Sequence, residues 1–287
     1  MKVGNVHCRI FLRRYKTKRG VLTMISLETY KINSISEILS KIPSKVWNEI
    51  VKREPEWIYM HKFLGKYGFG RFAVLMTVAG LNDYQLKGKA EVAYWPPLSA
   101  LLERKGVPNS PLELMYILGE FYSRERFSNT KIRRLEKFLL SSLAQDLWTS
   151  EPEDVARDFV NIWYRLADTM GQDRNAKTIT FAMKCLGISL LMVGETDFSF
   201  EKIPIPVDYR VREFTKRLGV AVWDDDDIRY FWSSVLEELR KKVDVNMIHL
   251  DSLVWQIGTL DRVGIVRYFS ELGVEDVGRE LAEVLRW

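Results

Sequence analysis

Lys177 is the residue of this chain best placed to act as a nucleophile. In the stretch Asp168–Leu186 one helix ends near Ala167, a short turn contains Gly171, and a second helix starts around Arg174. That is the pattern of a helical hairpin with a glycine turn. Lys177 falls in the first turn of the second helix, where the positive end of the helix dipole disfavours a cation. Only a neutral amine attacks carbon, and this position favours the neutral form. Lys184 lies seven residues on and points almost the same way, so direction does not separate the two. Depth does, because Lys184 sits about two turns, or ~10 Å, further along the helix. The dipole has faded there, and beside Phe181 and Cys185 a lysine is expected to pair with a carboxylate or snorkel to solvent. The hairpin turn can also expose backbone amides at a helix N-terminus and grip a phosphate.

Two further segments carry groups that complement an amine. In Ile203–Val211 two prolines impose an extended approach, and Asp208 follows at the N-cap of a helix over Tyr209–Leu218. A cap carboxylate is rigidly aimed and can face a positive charge developing on a sugar. In Met247–Gly258, Asp251 and Trp255 are four apart on one helical face. Such a pair can stack on a base and hydrogen-bond its edge. Each feature also has a plain structural alternative: a solvated lysine, an ordinary cap, and a core tryptophan beneath a capping aspartate.

The elements that hold these groups read as helices throughout, which makes the fold class all-α. Ser34 with Glu37 resembles a capping box that opens a short helix ended by Pro43. Ser44 can cap the next stretch. Further helices are expected over Pro55–Leu64, Phe72–Leu86, Glu91–Arg104 (interrupted by Pro96 and Pro97), Pro111–Tyr122 with Ser110 as cap, and Thr130–Leu143. The rest are Pro152–Ala167, Arg174–Met192, Tyr209–Leu218, Asp225–Val243, Asp251–Leu260, Val263–Leu272 and Val277–Leu285. The hairpin spans about 153–192. Only Val3–Leu12 and Gly20–Met24 hint at strand. Residues 1–23 read as a basic, disordered tail, with Met24 an alternative start, and 24–287 as the helical domain.

Composition limits the alternatives. The chain has 287 residues, 47% hydrophobic and 28% charged, enough for a full core. No apolar run reaches the ~20 residues of a membrane span. Two cysteines cannot build a disulfide framework, and three histidines show no metal-ligand spacing, so neither metal nor cofactor is expected. The net charge is +5, but residues 1–23 hold seven Lys/Arg and no acid, and subtracting these leaves −2 for the remainder. Local clustering matters more, as in Arg124–Lys137, where six basic residues face two acids.

Taken together, the three segments resemble the helix-hairpin-helix DNA glycosylase superfamily, and within it the archaeal 8-oxoguanine DNA glycosylase family. The resemblance rests on Ala176-Lys177-Thr178, Phe181, Lys184, Ile203–Val211, His249-Leu250-Asp251 with Trp255, and Gly88-Lys89 followed by Trp95, over about residues 50–260. It implies two helical lobes with a cleft between them, and base excision coupled to strand cleavage through a lysine imine. Lys177 would be the Schiff-base nucleophile and Asp208 its partner. Trp95, Asp251 and Trp255 would line the base pocket. Glu56 follows Pro55 where the family has a base-contacting glutamine. Gly171, Arg174 and Arg210 are expected on the DNA backbone. The hairpin lacks the usual second glycine, and the missing cysteine cluster separates the chain from the iron–sulfur branch. The expected partner is single- or double-stranded DNA containing 8-oxoguanine, bound by a monomer in the cytoplasm of an archaeon, at the nucleoid. The abundance of Lys, Arg and Glu hints at a thermophile. Two other readings stand beside this one: a non-catalytic helical DNA-binding protein, and a glycosylase for another damaged base.

Overall fold

The structure, a computed structural model, describes residues 18–286. In chain order the helices are α1 (Lys18–Leu39), α2 (Ser44–Lys52), α3 (Pro55–Tyr67), α4 (Phe69–Asn82), α5 (Ala90–Ala93), α6 (Trp95–Lys105), α7 (Pro111–Tyr122), α8 (Ser128–Leu139) and α9 (Ser142–Trp148). They continue as α10 (Pro152–Arg157), α11 (Phe159–Met170), α12 (Lys177–Val193), α13 (Tyr209–Arg217), α14 (Asp225–Leu239), α15 (Met247–Ile257), α16 (Arg262–Glu271) and α17 (Glu275–Val284). A single 3-10 turn lies at Phe200–Lys202, and no strand occurs among the described residues. None of these helices is long and apolar enough to cross a membrane.

The architecture is organised by two helices that are apolar on nearly every face. A helix of that kind has to be buried all round, and α4 and α12 pack against each other at the centre. Gly80 permits their close approach: a Cβ there would lie 2.8 Å from the Ala182 Cα and 2.8 Å from the Cys185 Sγ. The remaining helices present one apolar stripe each to this pair. The C-terminal end of α4 and the start of α12 are also tied by polar contacts. Arg134 on α8 donates to the Leu81 carbonyl at 3.0 and 3.2 Å and to the Gln172 Oε1 at 2.8 Å. The same Gln172 oxygen accepts from the Thr178 hydroxyl at 3.3 Å.

The N-terminal helix departs from the sequence-based expectation. α1 starts at Lys18 and runs through Ser34 and Glu37, so these two do not open a helix and Gly20–Met24 is not strand. Nothing in that stretch breaks a helix, and Ile32, Ile35, Ile38 and Leu39 form one buried stripe. Ser36 donates to the Val235 carbonyl of α14 at 3.1 Å, which fixes this helix against the body. Residues 18–23, read above as tail, belong to α1, while Val3–Leu12 lies outside the described residues. The expected helix over 152–167 divides at Asp158 into α10 and α11, and Thr130–Leu143 divides into α8 and α9.

Candidate active site

The hairpin turn is fixed by its own backbone. Gly171 ends α11 in the left-handed region (φ 61°), and the Gln172 amide donates back to the Ala167 carbonyl at 3.0 Å. This is a helix stop that favours glycine. An Asx-type contact, Asn175 N–H to the Asp173 carboxylate at 2.7 Å, shapes the rest of the turn. Arg174 lies in this turn and not in α12. Its carbonyl accepts the Trp163 indole N–H at 2.8 Å, and its exposed guanidinium lies over the Trp163 and Tyr164 rings at 5.6 and 5.3 Å. A Cβ on Gly171 would sit 3.2 Å from the Lys137 Nζ, so a second cation borders the turn. Lys177 is the first residue of α12, after Ala176 at the cap, and is half-buried. Among the described residues its amine makes no ion pair.

Asp208 is the N-cap of α13, accepting the Val211 N–H at 2.9 Å. The approach to it is anchored by Ile203, Ile205 and Val207, all buried. Two prolines interleave with them, so the carboxylate is held by packing behind it and by its own cap bond. Lys177 and Asp208 form no ion pair with each other, yet both act on one carboxyl, that of Asp83. Lys177 favours its ionisation and Asp208 opposes it. The two thus face the same region, with Asp83 as a third member.

Behind this lies a buried charge cluster. Lys184 pairs with Asp251 at 2.6 Å and with Glu54 at 3.2 Å, and all three side chains are almost fully enclosed. Glu56 is 2% exposed, and its Oε2 has no hydrogen-bond partner. Burial works against the Lys184 charge, but Asp251, Glu54 and Glu56 outweigh it and hold the ammonium well above the ordinary lysine range. Burial raises the Asp251 carboxyl to about 6, offset by Lys184. Glu56 is pushed far up, first by burial and then by Glu54, so it holds its proton. Asp251 itself sits inside α15, whose cap is Asn246 in a reciprocal box with His249. Asp251 is therefore not a cap, and the expected start of that helix moves back to Met247.

Glu56 gives a pH dependence with a definite sign. Its folded-state pKa lies above its unfolded value, so folding favours the protonated acid. That contribution is intact below the unfolded value of about 4.3 and is lost as pH rises toward the raised one, at about 1.4 kcal/mol per unit. Glu56→Gln cannot ionise. It is expected to be more stable than the parent, by a margin that grows upward from about pH 4 and then levels off. Chemical denaturation at a series of pH values checks this, and a margin that shrinks with rising pH contradicts it.

The two tryptophans differ. Trp95 has no exposed surface; its indole N–H donates to the Asp83 Oδ2 at 3.1 Å and its ring meets Tyr94 edge-on at 5.1 Å. It is packed as a core residue, against the expectation of an open pocket aromatic. Trp255 keeps part of its surface, and the Arg210 guanidinium lies 3.9 Å over its ring while pairing with Glu91 at 2.7 Å. Arg210 is thus engaged with the wall of the site, not held out as a free surface cation. Trp255→Ala is expected to cost roughly 1–3 kcal/mol of stacking on a base with little change in melting temperature. Trp95→Ala is expected to cost about 3–5 kcal/mol of stability. Thermal melts beside lesion-DNA titrations separate the two, and equal melting losses contradict this division.

The structure brings Lys177, Asp208 and Asp251 toward one region and encloses Glu56 and Trp95 beside it. The sequence reading missed Asp83 and Glu54. Asp83 stands just past the end of α4 and reads as an ordinary helix stop. Glu54 precedes Pro55 and reads as a cap. Only burial distinguishes them.

A family model described as AGOG, N-glycosylase/DNA lyase, matches residues 36–280. An N-glycosylase/DNA lyase of Methanopyrus kandleri is 28% identical over 189 residues, which is 65% of this chain and 72% of the relative. One from Pyrobaculum aerophilum is 23% identical over 241 residues, covering 81% and 84%. The crystal structure of the Pyrobaculum aerophilum 8-oxoguanine DNA glycosylase Pa-AGOG with 8-oxoguanosine is similar in fold. Its TM-score is 0.68 at 20% identity, covering 89% of this chain and 97% of that one. With nearly its whole helical body matched, the chain belongs to the AGOG family of N-glycosylase/DNA lyases.

Proposed function

We propose that this protein excises 8-oxoguanine from DNA and cuts the strand through an imine between Lys177 and the sugar. The observation that carries the assignment is the locking of Lys184. A buried ammonium held by two carboxylates at 2.6 and 3.2 Å is a poor nucleophile. It leaves Lys177, unpaired and half-buried at the hairpin, as the amine that can react. The damaged nucleotide has to leave the stack first, because C1′ is inaccessible inside the duplex. The hairpin amides around Gly171, with Arg174 and Lys137 beside them, hold the backbone. Neutral Lys177 attacks C1′ while the Asp208 carboxylate, fixed by its cap bond, stabilises the oxocarbenium-like sugar. The base departs, the ring opens to a protonated imine, and β-elimination cuts 3′ to the lesion.

Trp255 supplies a stacking face for the base, and Arg210 has to yield its place over that ring or serve as part of the stack. 8-Oxoguanine carries a donor at N7 where guanine has an acceptor. A buried acceptor discriminates strongly, since guanine leaves it unpaired. The carboxyls of Asp251 and Glu56 supply candidate acceptors, and Glu56 at a position where the resemblance implies glutamine favours testing other damaged bases as well. The reading is of a monomer acting in the cytoplasm, at the nucleoid, on single- or double-stranded DNA. A panel of lesion duplexes treated with borohydride tests it. The expected result is a covalent adduct and strand cleavage with 8-oxoguanine far above guanine. Excision confined to a different lesion rejects the substrate, and binding without any adduct supports the non-catalytic alternative.

A further inference from the structure

The imine step requires a proton acceptor. Lys177 begins as an ammonium with three N–H protons, and the protonated imine keeps one. The other two end on the released base and on O4′ of the opened sugar. The first has to leave Nζ as the N–C1′ bond forms and the C1′–N9 bond breaks with its electron pair on the base. Asp208 is a weak candidate for this task, because its Oδ1 is already committed to the Val211 amide at 2.9 Å.

Asp83 is placed for it. It follows α4 directly, two residues beyond Leu81, whose carbonyl is clamped through Arg134 and Gln172 to Thr178, the neighbour of Lys177. The clamp fixes the end of α4 against the first turn of α12. Asp83 is 8% exposed, and one of its oxygens receives the Trp95 indole N–H at 3.1 Å, which sets the plane of the carboxyl. From these contacts we propose that Asp83 is the proton acceptor for Lys177, receiving a proton from Nζ as the amine attacks and passing it to the leaving base. The proposal rests on the Schiff-base reading of Lys177.

The charges around Asp83 suit this role. Burial raises its carboxyl to about 6, and Lys177 is the foremost group opposing that rise, followed by the Trp95 bond and Lys131 of α8, while Asp208 adds to it. A base of that strength accepts a proton more readily than an ordinary carboxylate and still ionises at neutral pH. Other titratable neighbours stay neutral there. Cys185 of α12 and the phenols of Tyr94 and Tyr122 are pushed up by burial, and Glu56 of α3 holds its proton.

The test is single-turnover imine trapping with cyanoborohydride on a duplex containing an abasic site, from pH 5 to 9.5, at saturating enzyme. An abasic substrate bypasses base excision and isolates the imine step. The wild-type rate is expected to be flat above about pH 6 and to fall about tenfold per unit below it, as Asp83 protonates. Asp83→Asn retains an acceptor for the Trp95 indole. It is expected to be slowed roughly 10²-fold or more at pH 7, with a rate that climbs steadily to pH 9.5 because solvent must now deprotonate the lysine. An Asp83→Asn profile parallel to wild type overturns the proposal. So does a wild-type rate that stays flat down to pH 5, a measurement that requires no variant to fold. A wild type that forms no adduct at any pH overturns the Schiff-base reading along with it.

Discussion

Lys177→Gln is expected to abolish the borohydride-trapped DNA adduct and nearly all strand cleavage, while the protein folds and binds lesion DNA as before. The basis is geometric. Lys177 heads α12 with no ion pair among the described residues, so its removal breaks no structural contact. A glutamine there has no amine to form an imine, and the carboxylates at Asp208 and Asp83 have nothing to assist. The loss is therefore expected in the chemical step, several orders of magnitude in single-turnover rate, with a dissociation constant changed by no more than a few-fold. Gel analysis of trapped adducts beside a binding titration checks both. A large fall in melting temperature, or trapping that persists, contradicts it.

Lys184→Met is expected to act in the opposite manner, on the fold. Removing this ammonium leaves Glu54 and Asp251 buried and unpaired, a change that costs about 3–5 kcal/mol. For a chain of this size that is a fall in melting temperature on the order of 6–20 °C. The deficit is expected to shrink as pH falls, because the orphaned carboxyls have raised folded-state pKa values and are relieved by protonation. Asp251→Asn added to Lys184→Met is expected to recover part of the loss. The molecules that remain folded are expected to form the adduct. Thermal melts at pH 5 and pH 8 check the first two statements. A deficit that grows on acidification sinks the account of the cluster.

These two lysines also show what can be read in a sequence and what cannot. Both sit on one stripe of one helix, and the apolar neighbours Phe181 and Cys185 correctly indicate that the deeper one is paired. Its partners could not be named, because Asp251 and Glu54 are brought in by distant helices. Ser110 before Pro111 and Asp208 before Tyr209 are legible caps because a cap bond is local. Ser34 and Glu37 carry the same local signal, and burial of the α1 stripe overrides it. Trp95 and Asp83 were hardest to read: an aromatic and a helix stop became a hydrogen-bonded pair only once α4 and α6 were packed. Arg210 likewise looks like a surface cation until Trp255 and Glu91 are seen beside it.

The most direct test of the account is to find the atom that bonds to the sugar. The wild-type protein is trapped on an 8-oxoguanine duplex with borohydride, digested with protease and nuclease, and the modified peptide is sequenced by mass spectrometry. The account predicts a reduced sugar adduct on Lys177 and none on Lys184. An adduct on Lys184, or on any other lysine with Lys177 unmodified, contradicts it.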